Sequence, residues 1–224
     1  MVQKRTRKTA LHRTRERQHW RTINKDFCMR LRSKLESKDE TLCLGCFELK
    51  HLYLHETEMI APLQPPDSLH VQAAQGWLEL GNPVESRAEL DKVTPEQHRH
   101  PDVLKIRWEI HAAEQKWEAA LKVAEVLIEL EPEEALGWVH KSYSLHELRR
   151  TAEARDNLLK VVEEFPVSAT ILYNLACYEC QLDNLDESRR WLERAFRVGN
   201  RKQMKAAALK DPDLKPLWKE IEAR

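Results

Sequence analysis

Trp117–Pro132 reads WEAALKVAEVLIELEP, and the spacing inside it decides the fold. Ala120, Ala124 and Leu127 stand at i, i+4 and i+7, which is one face of a helix that must end before Pro132. The same face recurs every 34 residues in both directions. Ala120 has counterparts in Ser86, Ala154 and Ser188, all small. Ala124 matches Leu90, Leu158 and Leu192, and Leu127 matches Val93, Val161 and Ala195. Pro132 recurs as Pro166, and Asn200 stands one period further on. A period of this length sets the architecture before any local motif is weighed.

Upstream of each such helix lies a second periodic stretch. Its columns hold His70, Leu104, Trp138 and Leu172, then Ala74, Trp108, Ser142 and Ala176. The spacing predicts helix pairs over 68–80 with 83–93, 102–114 with 117–129, 136–148 with 151–163, and 169–181 with 184–198. Gly81-Asn82-Pro83 supplies a C′ glycine, an N-cap and a first-turn proline. Asn184 with Glu187 is spaced as a capping box, Thr151 is placed as an N-cap, and Pro101-Asp102 and Ser168 can open helices.

The period, the small-residue column and the inter-repeat proline resemble the tetratricopeptide repeat (TPR) family. Trp117, Ala120, Ala124, Leu127 and Pro132 form the best-matched unit, and the resemblance covers residues 67–200. It implies an all-α, right-handed superhelical solenoid of about four TPR-like helix pairs with a C-terminal capping helix. The cap falls in 201–224, where Met204, Ala207 and Ala208 can lie on the last repeat. Leu214, Leu217, Trp218 and Ile221 form a second apolar face beyond Pro212. Residues 1–58 are a basic segment and 59–66 a Pro-rich linker.

The resemblance also implies that the first helices of the units line a concave groove that holds a peptide or partner helix. In this register the groove columns are Ser68, Asp102, Leu136 and Thr170, then Val71, Lys105, Val139 and Tyr173. The next two are Gln75, Glu109, Tyr143 and Cys177, and Leu78, Ala112, His146 and Cys180. The expected groove residues are therefore Lys105, Glu109, Val139, Tyr143, His146, Tyr173 and Cys177. Tyr143 and Tyr173 are the candidate anchors, the competing reading being that both rings pack between repeats. TPR domains that clamp the C-terminal carboxylate of heat-shock chaperones carry Lys and Asn pairs. Here Glu109 follows Lys105 where an Asn is needed, with Gln72 and His140 in the flanking units, so that ligand is disfavoured.

Charge sharpens the ligand class. The 37 Lys+Arg and 37 Asp+Glu sum to zero, yet residues 1–58 carry 14 basic against 8 acidic side chains. Residues 67–200 carry 16 against 25, a net of −9. The array repels phosphate-rich partners and suits a basic peptide or protein surface. The first 25 residues hold nine Lys+Arg and only Glu16, so residues 1–38 give an alternative reading as a nucleic-acid-associated arm. An Arg-rich start also fits an organelle transit peptide, and an abrupt change of character before Met59 is what a start at Met59 would produce.

Catalytic chemistry is not expected. Five glycines include no phosphate-binding loop motif, and no Ser–His–Asp or paired-carboxylate spacing occurs. Cys177 and Cys180 form a C-x-x-C in the body of a predicted helix, where packing outweighs redox use. Cys43-x2-Cys46-x4-His51-x3-His55 holds zinc-ligand types, but only four residues separate the two pairs, too few to wrap a metal. The sequence calls for no enzyme, metal or cofactor. The absence of an 18-residue apolar run argues against integral membrane association, and the few, odd-numbered cysteines suit a cytoplasmic protein.

Overall fold

The computed structural model describes residues 60–223, and these form only helices and turns. Four helix pairs follow one another: α1 (Asp67–Glu79) with α2 (Pro83–Leu90), and α3 (Pro101–Ala113) with α4 (Trp117–Leu130). Then come α5 (Ala135–Glu147) with α6 (Thr151–Leu159), and α7 (Ala169–Gln181) with α8 (Leu185–Val198). A short α9 (Arg201–Ala208), a 3-10 stretch (Pro212–Leu217) and α10 (Trp218–Ala223) complete the chain.

The small-residue column is where the two helices of each pair approach most closely. Ser86, Ala120, Ala154 and Ser188 are all fully buried. In three pairs a serine crosses the seam to a main-chain carbonyl twelve residues away. Ser86 Oγ donates to Ala74 O at 2.8 Å, Ser142 Oγ to Ala154 O at 3.0 Å, and Ser188 Oγ to Ala176 O at 2.6 Å. Each bond satisfies a buried hydroxyl that would otherwise destabilise the seam. Beyond the seam, Ala74, Leu90 and Val93 pack on Val103, Ile106 and Ile110 of the next pair, so one core runs on between repeats.

The turn inside every pair uses the same left-handed residue, again at a period of 34. Gly81, Gln115, Arg149 and Asp183 have φ of 75°, 60°, 65° and 61°. In each, the N–H of that residue and of the next return to the last turn of the preceding helix. Arg149 N donates to His146 O and Arg150 N to Leu145 O, both at 2.9 Å. These paired bonds are the Schellman closure, and they offset the roughly 1–2 kcal/mol that left-handed backbone costs a non-glycine residue.

Several local expectations hold. Asn82 accepts from Glu85 N with Pro83 in the first turn, and Ser168 accepts from Ile171 N. Two differ. Asn184 does not cap α8, because its amide donates instead to the Glu179 carboxylate at 2.7 Å. Thr151 is the first helical residue rather than the cap, and its hydroxyl lies 3.0 Å from His146 Nδ1. Helix α6 ends at Leu159, four residues earlier than expected, and the buried Val161 and Val162 follow it in turns. Asn200, standing where the repeat elsewhere has proline, caps α9 by accepting from Gln203 N at 3.1 Å.

Candidate ligand-binding groove

The groove columns fall on the first helix of each pair, α1, α3, α5 and α7. On α3, Lys105 Nζ lies 3.5 Å from Asp102 Oδ1 and 3.1 Å from Glu131 Oε2. Two carboxylates thus neutralise the one cation of this column, leaving acidic character around it. Glu109 stands one turn on, half-buried.

On α5, Val139 is buried and Tyr143 half-buried. The Tyr143 ring meets Trp108 and Trp117 edge-on, at centroid distances of 6.1 and 5.6 Å. It therefore sits over the repeat 2–3 junction while keeping part of its surface outward. Beneath it, the His140 ring stacks on Trp108 at 3.7 Å and 3°. Burial, with a smaller push from Lys105, lowers the His140 pKa to about 3, so this imidazole is a neutral packing element. The Trp108 indole N–H is satisfied by Ser144 Oγ at 3.0 Å.

The α7 end of the face is different, because the chain's own C-terminal segment lies across it. Tyr173 Oη donates to Asp211 Oδ2 at 2.9 Å, and Cys177 Sγ donates to the same oxygen at 3.6 Å. His146 Nε2, one repeat away, lies 3.0 Å from Asp213 Oδ2, and Gln181 Nε2 donates to Asp213 O at 2.9 Å. Leu214 and Leu217 are wholly buried behind these contacts. Burial and the adjacent Asp213 push the Asp211 carboxyl up to about 6, and burial, with Asp211 beside them, holds Tyr173 and Cys177 well above their usual values. The seven expected groove residues thus divide. Lys105, Glu109, Val139 and Tyr143 belong to the part formed by α3 and α5, whereas His146, Tyr173 and Cys177 touch the cap.

Burial also raises the Cys180 thiol to about 11, so neither sulfur of the C-x-x-C is thiolate at neutral pH. No group of three or more His, Cys, Asp or Glu among the described residues could hold a metal ion. The Cys43–His55 motif and the basic arm 1–38 lie outside the described residues. No described helix is long and apolar enough to cross a membrane.

Asp211 and Asp213 are not among the expected site residues, although a signal for Asp211 exists. Carried one period past Asn200, the groove register takes Tyr173 to Ala207, Cys177 to Asp211 and Cys180 to Leu214. The small-residue column instead takes Ser188 to Glu222, which hides the continuation. The His140–Trp108 stack has no comparable signal, since the columns of these two residues do not show which rings meet across the repeat junction.

No family model matches the chain, and no curated protein matches it. Solved structures do. MamA residues 41 to the end from Desulfovibrio magneticus RS-1 superposes with a TM-score of 0.55 at 18% identity, covering 72% of this chain and 94% of that one. PilF of Pseudomonas aeruginosa gives 0.58 at 22% identity, covering 70% of this chain and 69% of that one. Both are TPR-containing proteins. At these identities the likeness shows the fold alone: over its described residues the chain is an all-α TPR-like solenoid.

Proposed function

We propose that this TPR-fold chain is a non-catalytic adaptor or scaffold that binds a basic protein segment along the concave face of α1, α3 and α5. The observation that carries this reading is the state of Lys105. Its charge is consumed by Asp102 and Glu131, so the face that bears half-buried Val71, Leu78 and Tyr143 has an acidic surplus. The repeat region as a whole agrees, at 16 Lys+Arg against 25 Asp+Glu. Tyr143 gives a partner an aromatic surface already held by Trp108 and Trp117, so little side-chain entropy is lost on contact. The covering of Tyr173 and Cys177 by the cap directs the partner toward the α1–α5 part.

The test is binding of a set of Lys/Arg-rich peptides to the full chain by fluorescence anisotropy. Glu109→Lys and Asp102→Lys should each weaken the best binder at least about tenfold, since the field acting on a cationic ligand reverses locally. Binding unchanged by both, or lost only when residues 1–58 are removed, would refute this use of the face.

A further inference from the structure

Among the described residues, nothing covers the surface of the first repeat by which every later repeat stacks on its predecessor. Leu69 is 57% exposed, whereas its register mates Val103 and Ile171 are 0% exposed. Gly76 occupies the column of Ile110, Ser144 and Tyr178, all buried, and exposed Trp77 the column of buried Leu145 and Glu179. Leu80 is 76% exposed at the end of α1, and Val84 at the start of α2 is exposed too. Leu69, Ala73, Gly76 and Leu80 lie at i, i+4, i+7 and i+11, a stripe along one side of α1 of the kind that seats a second helix.

Gly76 supplies an independent sign. A glycine inside a helix costs about 1 kcal/mol relative to alanine. At Gly137 the cost has an internal reason, because a Cβ there would lie 3.0 Å from Ile128 Cγ1 and 3.1 Å from its backbone nitrogen. At Gly76 an added Cβ would meet nothing within 4 Å. The bare backbone is open for another backbone to approach from outside.

We infer that this face docks on the same face of a second copy of the chain, through antiparallel α1 helices about a two-fold axis. The stripe reads large, small, small, large in either direction. An antiparallel copy therefore sets Ala73 and Gly76 opposite each other at the axis, with leucines closing both ends. The surface is continuous with the stacking series that already forms the interfaces between repeats. Charge does not oppose it, since Leu69, Gln72, Ala73, Gly76, Trp77 and Leu80 carry none. Head-to-tail stacking is blocked, since Leu214, Leu217 and Ile221 already cover the other end.

Sedimentation of the full chain at about 50 µM, well inside the range for interfaces of this class, reads the answer. The expected species has twice the 26.4 kDa chain mass. Leu69→Glu with Leu80→Glu should halve it without changing the helical circular dichroism, whereas Leu159→Glu, at another exposed leucine, should not. Gly76→Leu has room to fold and should raise the dimer dissociation constant at least about tenfold by holding the helices apart. A wild-type chain that sediments at 26.4 kDa, or a doubled mass that survives the double glutamate, would overturn the inference. A monomer whose melting temperature falls sharply in the double glutamate would overturn it as well, by showing the face covered within one chain.

Discussion

The two ends of the repeat array solve the same problem in opposite ways. At the C-terminal end, α9, the 3-10 stretch and α10 cover the last pair, burying Met204, Leu214, Leu217 and Ile221. Arg189 fastens them with two bonds to Glu220, at 2.7 and 2.8 Å. At the N-terminal end, Leu69, Trp77, Leu80 and Val84 face outward. A helix pair cannot bury its apolar surface alone, so a solenoid end is either capped or sticky. The covered end also reaches over the concave side, placing Asp211 and Asp213 on Tyr173, Cys177 and His146. Sealing one end therefore also covers part of the α5–α7 face, while no described residue covers the outward side of α1.

The largest contrast is expected in core truncations at the two ends. Leu214→Ala removes a wholly buried side chain and should cost about 2–5 kcal/mol in urea denaturation. Leu80→Ala, at 76% exposure, should cost the isolated chain within about 0.5 kcal/mol. Equal losses would mean that the ends do not differ.

A smaller effect separates the covered end from the middle of the array by the sign of its pH dependence. His140 is neutral in the fold down to about pH 3, against a usual 6.5. The unfolded chain binds the extra proton between those values, so this group makes stability fall as pH falls through them, at most about 1.4 kcal/mol per unit. Asp211 runs the other way. Its carboxyl is protonated up to about 6 in the fold against a usual 3.8, so the folded chain holds the extra proton in between and stability rises as pH falls. The two offset each other between about pH 6 and 4. Asp211→Asn, which still accepts from Tyr173, should steepen acid destabilisation in that window, and His140→Phe should flatten it. Urea midpoints at pH 4, 5, 6 and 7, spanning the window where the two effects oppose each other, would check both slopes.

Most of the helix pairing was legible in the sequence because it rests on local periodicity. Ser86, Ala120, Ala154 and Ser188 mark the seams, and Gly81-Asn82-Pro83 marks a turn without reference to anything distant. The other three turns were harder to see. Gln115, Arg149 and Asp183 take the left-handed conformation against their own preference, held there by paired carbonyl bonds that only the folded turn supplies. Asn184 and Thr151 depart from their expected capping roles because, across the same turn, Glu179 and His146 engage their side chains. The groove columns identify which residues share a face. They carry no information about a distant segment folding back, which is why His146, Tyr173 and Cys177 read as ligand contacts although they touch the cap.

The C-terminal segment is an integral cover of the array and lies against α5 and α7. Hydrogen–deuterium exchange of the full chain tests it most directly, read on peptides spanning Asp211–Leu217 and Ala169–Gln181. Both should be protected and open together with global unfolding, because Leu214 and Asp211 are buried against α7. Exchange of Asp211–Leu217 within seconds, while Ala169–Gln181 stays protected, would contradict it.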